Sequence, residues 1–193
     1  MSTHAPTETA RREAGLPTPL VGMLLFIASE VMFFGGLFAA YFSLRSAAST
    51  WPPDGVELDA VRGGLFTVVL VASSGTIQLA VWAAERGERE QSRRWIVLTA
   101  LMALVFIGNQ ATEWLSLDFA PSSHAYGSIF YLLTGFHGIH VLGGVVAMGA
   151  LLGRTAGTAD DPGAIPVVQV IGYYWHFVDV VWIAVFATVF LVR

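Results

Sequence analysis

Apolar residues arrive in five long runs separated by short polar stretches, and the runs do not alternate. A half-buried strand alternates polar and apolar positions, and strands of a membrane barrel do so over about 10 residues. These runs instead reach or exceed the roughly 20 residues with which an α-helix crosses about 30 Å. They lie at 20–44, 65–84, 95–115, 126–152 and 167–192. A lipid-exposed backbone must satisfy its polar groups internally. The pattern therefore predicts an all-α integral membrane protein, a bundle of five transmembrane helices.

The interruptions are short. Residues 1–19 are polar and turn-forming and read as a cytoplasmic N-terminal tail rather than a signal peptide, leaving 20–193 as one five-helix membrane domain. Residues 45–64 hold Trp51, Pro52, Pro53 and Asp54, which stop a helix and turn the chain. Residues 85–94 read ERGEREQSRR, a solvated hinge, and 153–166 hold Asp160, Asp161, Pro162 and Pro166. No internal repeat of the transporter kind is present. Arginine placement orients the bundle. With the N-terminus inside, Arg11, Arg12, Arg86, Arg89, Arg93, Arg94 and Arg154 are inside, against Arg45, Arg62 and Arg193 outside. The positive-inside rule then expects the N-terminus inside and the C-terminus outside.

Composition supports the membrane class: 55% of residues are hydrophobic and 12% charged, where a soluble domain averages roughly 25% charged. The net charge of −4 gives no nucleic-acid signal. Cysteine is absent, which excludes disulfides and thiolate sites; lysine is absent too, which excludes Schiff-base and P-loop chemistry. Small residues at four-residue spacing predict close helix contacts: Gly35 with Ala39, Gly36 with Ala40, then Ala72, Thr76, Ala80 and Ala84, and Gly143 with Ala147.

Candidate chemistry lies in the ionisable groups inside the spans, where burying a charge costs roughly 2.5–3.5 kcal/mol on insertion scales. Glu30, Glu113 and Asp179 are the candidate proton-handling or buried carboxyls. Glu30 serves either in proton handling or as a neutral acid bonded to a helix carbonyl or a neighbouring subunit. Asn109, Gln110 and Glu113 share a helix face near the end of the third span, where a polar cluster is more often structural. His137 and His140, at i and i+3, suit either a metal or hydrogen bonds to carbonyls, headgroups or carboxylates. Trp175, His176, Asp179 and Trp182 share a broad face of the last span. There His176 and Asp179 are spaced for a local hydrogen bond, and the tryptophans lie too deep for an interfacial belt. His137, His140, His176 and Trp175 are thus lipid-binding or structural polar candidates. No catalytic set and no nucleotide fingerprint is present, so the residues alone leave channel, transporter and assembly subunit open.

Four segments carry a resemblance: GMLLFIASEVMFFGGLF from Gly22, QATEW from Gln110, YGSIFYLLTGFHGIHVLGG from Tyr126 and YYWHFVDVVWI from Tyr173. In this order they resemble subunit III of haem-copper oxidases, the cytochrome c oxidase subunit 3 family, over about residues 20–192. The chain looks like the five-helix bacterial form, lacking the first two of the family's usual seven helices, and is most similar to the actinobacterial aa3-type version.

The resemblance implies an accessory subunit without catalytic residues, metal or redox centre of its own, in a proton-translocating oxidase that moves electrons from cytochrome c to dioxygen. Haem a, CuA and CuB are then expected in partner subunits I and II, and phospholipid bound to this chain. Subunit IV and a cytochrome bcc complex are further partners in a supercomplex. The expected location is the bacterial cell membrane, and the expected contributions are assembly, lipid retention and sustained proton uptake. Glu30 matches the family's buried carbodiimide-reactive glutamate; Glu113, His137, His140, His176 and Asp179 match other polar family positions. The missing helices form one wall of a lipid cleft in longer members, which leaves that site open or closed by another subunit here. The alternatives are subunit III of a quinol oxidase or nitric-oxide-reductase complex, a free-standing proton channel or transporter, and a metal enzyme using the three histidines.

Overall fold

A computed structural model describes residues 17–154 and 164–192. The expectations for most of the N-terminal tail, for Arg11, Arg12 and Arg193, and for Asp160, Asp161 and Pro162 lie outside the described residues. Five helices follow one another: α1 Thr18–Ala47, α2 Ala60–Glu85, α3 Arg89–Ser116, α4 Ala125–Arg154 and α5 Ala164–Phe186, the last closing in a π-helical turn, Ala187–Leu191. All five are long and apolar enough to cross a membrane, and no strand occurs among the described residues.

Local chemistry sets the helix ends and explains where they outrun the apolar runs. Pro17 and Pro19 open α1, where missing amide donors cost nothing. Asp59 caps α2, its Oδ1 accepting from the Arg62 amide at 2.9 Å, so α2 starts five residues before the apolar run at Leu65. The hinge at 85–94 is much shorter than its polarity suggests. Gly87, at φ 75°, lets the Glu88 amide bond to the Ala83 carbonyl and its own amide to the Ala84 carbonyl. These are the two bonds of a Schellman turn, and α3 restarts at Arg89. Its polar first turns are helix standing beyond the apolar span. In that turn Arg86 donates to both Glu88 oxygens at 2.9 Å and holds the Glu88 carboxyl below the usual carboxylate range.

α5 is the centre of the bundle: α1, α2 and α4 all pack on it, and α3 packs on α2 and α4. Trp175 and Trp182 on α5 are almost wholly buried. Trp175 lies on Gly144 of α4, where a Cβ would come within 2.5 Å of the indole. Trp182 meets Phe106 of α3 edge-on, with ring centroids 4.7 Å apart. The deep tryptophans therefore make the helix–helix contacts expected of them.

The small-residue stripes fare unevenly. On α2, Ala80 and Ala84 are buried and Thr76 reaches Thr99 of α3 at 2.7 Å, but Ala72 is exposed. On α4 the close approach falls on Gly144, one residue beyond the expected Gly143. On α1, Gly35, Gly36, Ala39 and Ala40 all face outward, because α1 turns Phe34 and Tyr41 to the bundle. The α1–α2 connection folds back along it: Trp51 donates to the Tyr41 hydroxyl at 2.9 Å, and Tyr41 donates to the Thr188 carbonyl at 3.0 Å.

Candidate functional site

Intramembrane polar residues collect in two seams. The first joins α1 to α4. Glu30 Oε2 lies 2.9 Å from His140 Nε2, with side chains 17% and 14% exposed. His140 Nδ1 faces the Phe136 carbonyl at 2.7 Å, so Nδ1 carries a proton and donates. The contact between Nε2 and Oε2 then holds one shared proton, on either the carboxyl or the imidazole. Phe33 and Phe34 lie against the ring, and the Tyr174 hydroxyl donates to the His140 carbonyl at 2.8 Å. Within this chain the partner of Glu30 is a histidine rather than a helix carbonyl.

The second seam joins α2 to α5 around Ser74. Its hydroxyl hydrogen-bonds to Asp179 Oδ2 and lies 3.0 Å from His176 Nδ1. His176 Nε2 faces Gln78 Oε1 at 3.1 Å. The local His176–Asp179 bond expected from their spacing is thus replaced by a bridge through Ser74. Toward the α2–α3 turn, Gln169 donates to Glu85 at 2.8 Å. Gln78, Glu85, Gln169, Gly172, Tyr173 and His176 line a cavity of about 110 Å³ there. Trp175 is turned to the interior, its Nε1 donating to Ser73 Oγ at 2.9 Å.

His137 behaves unlike His140, one helical turn away. It is wholly buried between Phe106 and Trp182, and neither ring nitrogen has a hydrogen-bond partner among the described residues. At i and i+3 the two rings diverge, one to the core and one to α1. Among the described residues no three histidine or carboxylate groups converge to hold a metal. Glu113 sits apart from both seams: Arg62 of α2 pairs with it at 3.6 Å and donates to Asn109 at 2.7 Å and to Thr112. The polar end of α3 is a tie to α2.

The pattern missed Ser74, Gln78 and Tyr174. The signal was present in SSGTIQ, a polar patch halfway along an apolar run. Serine and threonine in a span read first as small packing residues, and only the partner helix reveals Ser74 as a bridge.

Sequence comparisons cover nearly the whole chain. The model of the family Cytochrome c oxidase subunit III matches residues 3–192. A "Probable cytochrome c oxidase subunit 3" of Mycobacterium tuberculosis is 49% identical over 178 residues, covering 90% of this chain and 87% of the relative. One of Nocardia farcinica is 47% identical over 177 residues, with the same coverage of 90% and 87%. A "Cytochrome c oxidase subunit 3" of Thermostichus vulcanus is 34% identical over 176 residues, covering 89% and 86%.

Proposed function

This chain belongs to the cytochrome c oxidase subunit III family, and on that footing we propose that it is the non-redox accessory subunit of an aa3-type oxidase. It is a five-span membrane protein, and its family places it in an oxidoreductase complex. In this reading the bundle lies in a bacterial cell membrane with its N-terminus inside. Haem a, CuA and CuB belong to partner subunits I and II, and the wider assembly includes subunit IV and a cytochrome bcc complex. The chain contributes assembly, phospholipid retention and sustained proton uptake.

The observation that carries this reading is the Glu30–His140 contact at 2.9 Å. It binds the peripheral α1 to the bundle and keeps one exchangeable proton at intramembrane depth. Its groups can hold, orient and exchange a proton, which suits support of a neighbouring redox subunit.

Purification in mild detergent, followed by a reduced-minus-oxidised spectrum, tests the proposal. The expected eluate holds subunits I and II with an a-type signal, and b- and c-type signals if the supercomplex survives. An o-type spectrum with quinol activity, or a colourless chain without partners, overturns it. Within the complex, Glu30→Ala should leave initial turnover largely intact and shorten the active lifetime. Loss of the initial rate with full haem content would contradict a supporting role.

A further inference from the structure

The α2–α5 seam runs from an exposed mouth to a buried carboxyl. Its polar groups climb from one end of α2. Glu85 and Gln169 bond at the mouth, the cavity of about 110 Å³ follows, and His176 faces it beside Gln78. Beyond His176 come Ser74 and then Asp179, which is 3% exposed and whose Oδ1 has no hydrogen-bond partner among the described residues. Ser74 and Glu85 are eleven residues apart on α2, about 16 Å at the helical rise of 1.5 Å per residue. One turn past Asp179 the path is shut. Trp182 is buried there, donating to Thr67 Oγ1 at 2.9 Å, and Leu70 of α2 is fully buried.

We propose that this seam is a one-sided proton inlet, admitting water and protons from the α2–α3 side and ending at Asp179. Three hydrogen-bonding groups in series can pass a proton, with the Gln78 side-chain amide beside His176 as the one group that turns. Start with an Asp179 carboxylate, the Ser74 hydroxyl donating to it, and a neutral His176 donating from Nδ1 to Ser74 Oγ. A hydronium in the cavity gives a proton to the bare Nε2 and is left as water, and the Gln78 amide turns from donating its nitrogen to Nε2 to accepting there with Oε1. The Nδ1 proton passes to Ser74 Oγ as the Ser74 proton passes to Asp179 Oδ2. One proton has entered and one carboxyl is protonated. The ring is neutral again, with the proton on Nε2 donating to Gln78 Oε1 and Nδ1 accepting from Ser74. The product carries no charge, and in a low-dielectric seam an uncharged pair avoids the desolvation cost of two ions.

Of the other titratable groups near the seam, Tyr173 on α5 lines the cavity together with His176. Glu85 on α2 is at the mouth. His137 on α4 is behind Trp182, in contact with its ring. The Glu30–His140 pair of α1 and α4 lies across α5, on the side where Tyr174 reaches the His140 carbonyl. The inlet is thus separate from the site on which the proposed function rests, and it stands even if the chain's partners prove to be others.

Infrared spectroscopy of the chain, purified with its native partners, tests the inlet through the carbonyl stretch of a protonated carboxyl. The band should shift when isotope-labelled aspartate is incorporated, and vanish in Asp179→Asn. On transfer to heavy water, Gln78→Leu at the cavity wall and Ser74→Ala in the relay should each slow its exchange about tenfold. In sealed vesicles the exchange should follow the medium on the α2–α3 side. Should Asp179→Asn not assemble, the labelled native sequence and Gln78→Leu still decide. An aspartate band absent at every pH where the protein is folded, exchange indifferent to Gln78→Leu, or exchange that follows the opposite medium would each overturn the proposal.

Discussion

α1 and α5 are both apolar enough to cross a bilayer, yet 50% of α5's span is buried within the chain and only 6% of α1's. α5 is fixed by shape: Trp175 fills the space that Gly144 leaves, and Trp182 meets Phe106 and Thr67. α1 is fixed by a few polar contacts, chiefly Glu30 with His140 and Tyr41 with Thr188 and Trp51. High hydropathy in both thus conceals unequal roles. In lipid, apolar side chains gain little by leaving the solvent, so interior packing rests on van der Waals fit and on interhelical hydrogen bonds. A helix with one buried face in eight turns has its remaining surface free for acyl chains or partner subunits.

The comparison is broken most directly by filling the two kinds of glycine. Gly144→Val drives a side chain into Trp175 and should destabilise the bundle by about 1–3 kcal/mol, the usual cost of overpacking, read as a lower unfolding midpoint in detergent. A Cβ at Gly36 would meet nothing within 4 Å among the described residues outside its own turn of helix, so Gly36→Val should leave that midpoint unchanged while reducing the subunits that copurify. Equal midpoints for both variants would erase the distinction between α1 and α5.

Hydrogen bonds give a smaller effect. Tyr41→Phe removes the donor to Thr188 and the acceptor for Trp51, and should cost about 1–3 kcal/mol, the range for a buried group left unpaired. The loss should appear as faster proteolysis of the α1–α2 connection, with α5 unaffected. Unchanged proteolysis would mean that Phe34 and neighbouring apolar contacts hold α1 without help.

The smallest effect belongs to neither helix. Arg86 lowers the Glu88 carboxyl in the α2–α3 turn, so this contact contributes above the ordinary carboxylate range. The contribution is lost as pH falls through Glu88's lowered value. Both side chains are exposed, and screening keeps the term small. Glu88→Gln should remove a slight acid-side decline in the unfolding midpoint; a large decline that survives the substitution would point to a carboxyl inside the bundle.

The five spans and the two deep tryptophans were legible because length and apolarity act along one helix at a time. Helix ends were less so. Hydropathy ends at the lipid, whereas α2 and α3 continue past it on the strength of Asp59's cap and Gly87's left-handed turn. Of the site, the residue types were legible and the pairings were not. Glu30 and His140 are 110 positions apart, and Ser74 and Asp179 are 105 apart. No local spacing encodes such partnerships. The nearest guess, His176 with Asp179 on one face, placed them side by side but lacked the serine between them.

The order in which the chain is made gives the Glu30–His140 contact a further meaning. α1 is synthesised first, but the helices it packs on are α4 and α5, the last two. At about 5–20 residues per second, His140 follows Glu30 by roughly 5–20 s. Through that interval α1 must remain in the bilayer on its own lipid solubility, and it is the most apolar of the five spans. Membrane insertion of the nascent N-terminal hairpin is therefore independent of its later docking. The late arrival of one imidazole can act as the step that recruits a waiting helix into the finished bundle.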